Sequence, residues 1–495
     1  MNVKKSLILS SLLTLFLQAC GSDKPSIIPE EPEEPKPGEV TVYTTTSDRS
    51  QELKKTLISF STGSNMSPRT ITLNESVTYQ TMDGFGTAVT GSSAYNLLKM
   101  SATDRSKFLK ETFSTTDGYG HSYIRIAIGC SDFSLSEYTL NDEPGIEHFA
   151  LQEEETQFVI PVLKEILAIN PHIKILGSPW TAPRWMKVNN LTSLAPHNSW
   201  TGGHLNPAYY QDYATYFVKW IQAMDAQGIK IYGITPQNEP LNPGNSASML
   251  MYWEEQQAFV RDALGPKMKE AGLQTKIYAF DHNYNYDNIA SQNDYPIQIF
   301  SDPQAAQYFA GSAYHNYGGD KAELLDIRSK APNKELVFTE TSIGTWNDGR
   351  NLSRRLLEDM KEVGLGTINN WCRGVIVWNL MLDGERGPNR DGGCQTCYGA
   401  VDINASNYKT ITRNSHYYVI SHLSAVIQPG AVRIGAQGFD DRDIMYAVFK
   451  NPDNSYAVVL ANDKNEASRV TIADGKNHFS YEIPAKSVVS YNWKK

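Results

Sequence analysis

The chain has 495 residues, 40% hydrophobic and 20% charged, enough for one large domain and a smaller one with a sizeable buried core. Setting aside the first nineteen residues, which carry Lys4 and Lys5 and no acid, takes the formal charge from −9 to −11. A net acidic surface argues against nucleic acid or an anionic lipid surface as the partner and is compatible with a neutral substrate.

Lys4 and Lys5 precede an apolar stretch, Leu7 to Leu17, too short to span a bilayer comfortably, so residues 1–19 read as a signal peptide. It ends in Leu17-Gln-Ala-Cys20, which resembles a bacterial lipobox whose cysteine becomes the lipidated first residue; the alternative is a general secretory signal with an incidental cysteine. The tract Pro29-Glu-Glu-Pro-Glu-Glu-Pro-Lys-Pro37 has almost nothing to bury, and residues 20–45 are expected to be an extended, disordered tether. An acid soon after Cys20 loosely resembles a surface-export signal. The expected location is the bacterial outer membrane, facing outward (the periplasmic face is the alternative), with membrane contact only through the lipid anchor at Cys20 and a monomeric folded part.

Within residues 46–80, Thr70 to Leu73 and Val77 to Gln80 read as strands. Eight short runs rich in β-branched and aromatic residues follow: Gly84 to Thr90, Ser122 to Ile128, Ile173 to Ser178, Ile231 to Pro236, Ile277 to Asp281, Gly311 to His315, Leu336 to Thr339 and Val375 to Trp378. Apolar residues three and four apart separate them, at Asp104 to Phe113, Gln157 to Ile169, Tyr209 to Ala226, Met251 to Glu270, Lys321 to Arg328 (the weakest) and Leu352 to Val363. Alternation alone also fits a doubly wound sheet. Polar residues at the strand ends, with no Gly-rich phosphate loop after the first strand, favour an α/β fold of the (β/α)8 barrel type over residues 81–425. From Ala431 six short alternating segments joined by turns read as a small antiparallel β-sandwich over 426–495, completed by strands from 46–80.

Two of the barrel runs end on glutamate, at Gln237-Asn-Glu239-Pro and Phe338-Thr-Glu340-Thr. They stand about a hundred residues apart, roughly three strand–helix units, which suggests strands four and seven. Carboxyl ends of parallel strands share one mouth, so the two glutamates face each other across it. Glycosidic bond cleavage needs that pair, one group to protonate the leaving oxygen and one to attack or to activate water. Asn238 can donate to a sugar hydroxyl. No cofactor is needed, and a zinc site is not expected, because Cys394 and Cys397 have no second pair or nearby histidines. Those two cysteines are either a tight disulfide or two free thiols.

The ordered motifs Asp83-Gly-Phe-Gly-Thr-Ala, Arg125-Ile-Ala-Ile-Gly-Cys-Ser-Asp132, Ser178-Pro-Trp180-Thr-Ala-Pro-Arg-Trp185, Asn238-Glu239-Pro240, His315-Asn-Tyr317, Glu340 and Trp378-Asn379 resemble glycoside hydrolase family 30. The resemblance implies a retaining mechanism, with Glu239 as acid/base and Glu340 as nucleophile. It places Asp132, Trp180, Trp185 and Trp378 around the sugar, with Arg125 and His315 as donors near Glu340 and Tyr317 among the substrate-binding residues. One departure is Gly86-Thr-Ala-Val-Thr-Gly91, where glucosylceramidase-like members commonly carry an aspartate. The implied substrate is β-1,6-linked glucan cut internally; an exo-acting β-glucosidase or glucosylceramidase, a xylanase, and a non-catalytic glycan-binding lipoprotein are the alternatives.

Overall fold

The computed structural model describes residues 38–61, 66–284, 289–475 and 477–495. The expected signal peptide, Cys20 and the tether as far as residue 37 lie outside the described residues. Among the described residues, no helix is long and apolar enough to cross a membrane.

Eight parallel strands form the barrel: Gly84–Ala88, Tyr123–Ala127, Lys174–Ser178, Gly233–Ile234, Lys276–Asn283, Phe309–His315, Glu335–Glu340 and Cys372–Val377. The last closes on the first with Gly374 opposite Gly84 and Val377 opposite Thr87. Helices cover the outside and side chains fill the inside, so these strands are apolar almost without interruption. Tyr123, Leu176, Tyr278, Ala313, Val337 and Ile376 pack together as a separate small core. At the amino ends of the strands Lys174 pairs with Asp83 (2.6 Å), Lys276 with Glu335 (2.8 Å), and Arg373 with both acids. That ring seals one end of the cylinder and leaves the carboxyl end open for a site.

All six expected helical stretches are helical. Gln157 to Ile169 corresponds to a wide π turn, Glu155–Val159, running into Ile160–Ile169, and Met251 to Glu270 is likewise broken at Val260–Leu264. Pro161 and Pro266 accompany these two breaks, each lacking an N–H and crowding the preceding turn, while Leu352 to Val363 ends in a similar π turn, Met360–Gly364, with no proline. The weak fifth helix is Glu323–Lys330, which buries only Leu324 and Ile327.

The second region is one nine-stranded sheet. In spatial order its strands are Lys54–Ser59, Glu39–Thr46, Ser487–Trp493, Tyr456–Asn462, Ile444–Lys450, Val432–Gln437, Thr70–Thr81, Ser468–Ala473 and His478–Ile483. Three expectations are corrected. Ordered strand begins at Glu39, inside the stretch assigned to the tether; Glu39-Val-Thr-Val-Tyr-Thr-Thr-Thr46 is rich in β-branched residues and largely buried on both faces. Thr70 to Leu73 and Val77 to Gln80 belong to a single strand with irregular register. The sheet is not wholly antiparallel, because Thr70–Thr81 pairs in parallel with Ser468–Ala473. Helix Ser415–Ser424, with all ten residues buried, lies between barrel and sheet; His422 shares hydrogen bonds with Ser490 Oγ and Thr45 Oγ1, both at 2.8 Å.

Candidate active site

Glu239 follows the fourth strand in the left-handed backbone region, φ 44°, a conformation costly for a side chain bearing Cβ. Its N–H donates to the carbonyl of Asp281 at 3.0 Å, and its own carbonyl accepts from Asn242 N–H at 2.9 Å. Asp281 sits on a bulge: Phe280 and Asp281 have φ of 74° and 66°, and the register against the sixth strand slips between Phe280 and His282. Such a bulge re-aims a side chain. Here the Asp281 carboxylate is buried and accepts five hydrogen bonds, on Oδ1 from His315 Nε2 (3.0 Å) and Thr339 (2.6 Å), and on Oδ2 from Arg125 (2.7 Å), Ser178 (3.1 Å) and Thr235 (2.7 Å).

Arg125 also donates to Glu340 Oε2 at 2.5 Å and to Asn238 Oδ1 at 2.8 Å, while Tyr317 donates its phenol to Glu340 Oε1 at 2.9 Å. His315 Nδ1 meets Glu239 Oε1 at 3.2 Å, and Asn242 donates to Glu239 Oε2 at 2.7 Å. One oxygen of Glu239, one nitrogen of His315 and one oxygen of Glu340 lie within 4.8 Å of one another. These three are the described residues near enough to share a cation. Their donors are nonetheless committed to Arg125, Tyr317, Asn242 and Asp281, and the Arg125 guanidinium on Glu340 would repel a metal ion.

The charge pattern follows from the contacts. Burial opposes an imidazolium at His315, but Glu340, Asp281 and Glu239 together raise its pKa to about 9. Burial would push Glu239 up; the hydrogen bond from His315, the charges of His282 and His315 and the Asn242 bond bring it down to about 2. These are two views of one proton, which rests on His315 and lies one 3.2 Å contact from Glu239. Burial raises Glu340, opposed by His315 and Arg125, while the Glu239 charge adds to the rise. Hydrogen bonds from Arg125 and Tyr317 to its two oxygens favour the carboxylate form. Burial and the charges of Glu340 and Glu239 push Asp132 up to about 8, which favours its neutral form.

The structure brings Arg125, Asn238, Glu239, His315, Tyr317 and Glu340 into one hydrogen-bonded cluster. Trp180 and Trp378 are 2% and 1% exposed, stacked at 5.1 Å, with the Arg125 guanidinium 5.0 and 5.4 Å from their rings. The two indoles form a buried floor that packs the arginine. Trp180 Nε1, Asp132 Oδ1 and Asn379 Nδ2 are buried without a protein hydrogen-bond partner, an array suited to sugar hydroxyls. The contacts of Trp185 run elsewhere, its Nε1 on the Asn141 carbonyl at 2.8 Å and its ring edge-on to Tyr209, so it braces loops rather than the carboxylates. Asp281, Asn242, Thr339 and Asn379 were not among the expected site residues. Asp281 and Asn379 end strand runs, as Glu239 and Glu340 do, and that position was the available signal. Cys394 and Cys397 form a disulfide. At Gly91, the site of the departure, a Cβ would lie 1.8 Å from Glu154 Oε1, so the space an aspartate would need is held by Glu154.

A closed barrel whose fourth and seventh strands present paired glutamates, backed by an arginine and a histidine, defines a glycoside hydrolase. The chain belongs to glycosyl hydrolase family 30: the family's TIM-barrel domain matches residues 82–427 and its beta sandwich domain residues 430–491. It is 32% identical over 434 residues to Endo-1,6-beta-D-glucanase BGN16.3 of Trichoderma harzianum, covering 83% of this chain and 84% of that one. It is 28% identical over 449 residues to the lysosomal acid glucosylceramidase of Mus musculus, covering 86% and 83%. Among solved structures, the endo-beta1,6-glucanase BT3312 matches with a TM-score of 0.91 and 64% identity, covering 92% of this chain and 100% of that one.

Proposed function

We propose that the protein is a retaining endo-β-1,6-glucanase in which Glu340 is the nucleophile and Glu239 the acid/base. The observation that carries the mechanism is the close approach of the two carboxylates, one oxygen of Glu239 lying within 4.8 Å of one oxygen of Glu340. Direct attack needs about 5 to 5.5 Å between them, whereas an interposed water needs roughly 6.5 to 9.5 Å. In the first step Glu340 attacks the anomeric carbon as Glu239, taking the proton held by His315, protonates the departing oxygen. In the second Glu239 takes a proton from water, which attacks the glycosyl–enzyme ester and frees Glu340. Similarity to two named endo-1,6-glucanases supports the linkage, and 64% identity to one over its whole length supports it most.

The sequence features at the amino end support export as a lipoprotein, modified at Cys20 and held at the outer membrane with the enzyme facing outward. Hydrolysis of a panel of β-1,3-, β-1,4- and β-1,6-glucans, xylan and glucosylceramide, with product analysis, tests the function. A ladder of gentio-oligosaccharides from pustulan is expected. Glucose alone from the first time point refutes internal cleavage, and equal action on another substrate refutes the linkage. Radiolabelled palmitate in the mature protein, lost in Cys20→Ala, tests the anchor.

A further inference from the structure

A cavity of about 360 Å³ lies beside the nucleophile, outside the pocket floored by Trp180 and Trp378. Tyr317, whose hydroxyl holds Glu340, is 42% exposed on its wall, and Trp346 is 50% exposed. No contact described above accounts for so large an indole in water beside an active site. The wall also carries Asn316 and Ser342; Ser342 is buried, and its hydroxyl makes no hydrogen bond of good geometry. Four carboxylates (Asp320, Glu358, Asp359 and Glu362) stand with two cations (Lys321 and Arg355), three of the acids paired to them, which disfavours an anion and suits a neutral polyol.

The barrel fixes which part of the substrate reaches this cavity. Asp132, Trp180 and Trp378 stand at the ends of strands two, three and eight, while Tyr317 and Trp346 stand on the loops after strands six and seven. Glu239 and Glu340, on strands four and seven, lie between the two groups. Trp346 is also set firmly in place. Its ring covers Gly344, where a Cβ would lie 1.9 Å from Cζ3, and Gly344 pairs with Cys397 of the disulfide while Thr345 N–H donates to Thr396 O at 3.0 Å. An aromatic held rigid and half in water, next to hydroxyl-binding groups, is the surface a pyranose stacks on.

Resting on the proposed glucanase activity, we propose that Trp346, Tyr317 and Ser342 form a subsite for a glucosyl unit on the leaving-group side of the cleaved bond. Trp346→Ala, Trp346→Phe and Gly344→Ala, the last displacing the indole, are assayed on pustulan and on β-gentiobiosyl fluoride, whose leaving group has no ring. Trp346→Ala and Gly344→Ala are expected to lower kcat/KM on pustulan about tenfold and leave the fluoride within about twofold of wild type, with Trp346→Phe between. Equal losses on both substrates would make Trp346 a structural residue and overturn the subsite, as would no loss on pustulan. Wild-type enzyme inert on pustulan would instead refute the glucanase assignment, a separate outcome.

Discussion

Asp281→Asn isolates how the site keeps its proton where it is needed. The substitution preserves shape, but one of two oxygens that accept five hydrogen bonds becomes an N–H2. Keeping an oxygen toward Arg125 turns the amide toward His315, so Nε2 must accept and the ring is left neutral with only its Nδ1 proton. It donates that proton to an ionised Glu239, 3.2 Å away, and giving it up would leave an imidazolate, so no acid remains for the leaving group. Bonds to charged groups contribute about 1.5–3 kcal/mol each. Loss of the two charge-assisted bonds, from His315 and Thr339, therefore costs about 3–6 kcal/mol, on the order of 10² to 10⁴ in kcat/KM. The wrong tautomer in a serine-protease triad costs a comparable factor. The assay compares pustulan with β-gentiobiosyl fluoride, which departs with little protonation. The full loss is expected on pustulan and about tenfold on the fluoride, the latter from a looser grip of Arg125 on Glu340. Equal losses on both substrates, or a loss below tenfold on pustulan, would refute the reasoning.

Glu239→Ala should lose pustulan activity by at least about 10³-fold yet recover turnover of an activated glycoside in azide, giving a β-glycosyl azide; an α-azide would make Glu239 the nucleophile and refute its role as acid/base. His121 and His422, buried and neutral, have pKa values lowered to about 3 by desolvation. Unfolded, they bind protons near pH 6.5, so their contribution is present above that pH and is lost as pH falls toward 3, at about 1.4 kcal/mol per pH unit for each. His315, raised to about 9, contributes in the opposite window, fully below pH 6.5 and lost as pH rises through 9. Urea midpoints should therefore peak near neutrality; a stability flat from pH 4 to 7 would contradict the buried neutral histidines. Gly91→Ala should evict Glu154, which accepts from Leu135 N–H at 2.7 Å in the loop bearing Asp132. A melting temperature lowered by several degrees and a raised KM are expected, and an unchanged protein would mean Glu154 moves aside freely.

The eight barrel strands were legible because strands covered on both faces are short apolar runs, and their order alone placed Glu239 and Glu340 on one rim. Helix Ser415–Ser424 was not legible: buried all round, it has no polar face to set a period. Glu39–Thr46 was hidden for another reason: it follows directly on the Pro- and Glu-rich tract and reads as its continuation. Within the site, residues adjoining a glutamate in a short motif, such as Asn238, could be named in advance. Asp281 was marked only by its place at the end of a strand run, since its importance lies in five partners drawn from strands two to seven, and the bulge that turns it inward, with left-handed Phe280 and Asp281, has no sequence mark. Trp180 and Trp378 were placed correctly at the rim, but exposure decides whether an indole is a platform or a floor, and composition does not encode exposure.

Strand Glu39–Thr46 is zipped on one side to Lys54–Ser59 and on the other to Ser487–Trp493, the last strand of the chain. A ribosome therefore delivers one half of this ladder some 440 residues before the other, and Val40 and Val42 stay uncovered until synthesis is nearly complete. In the finished molecule the same arrangement works as a clamp. Tension applied along the strand axis would load rows of hydrogen bonds on both edges together, so they must slip as one before the strand pulls free.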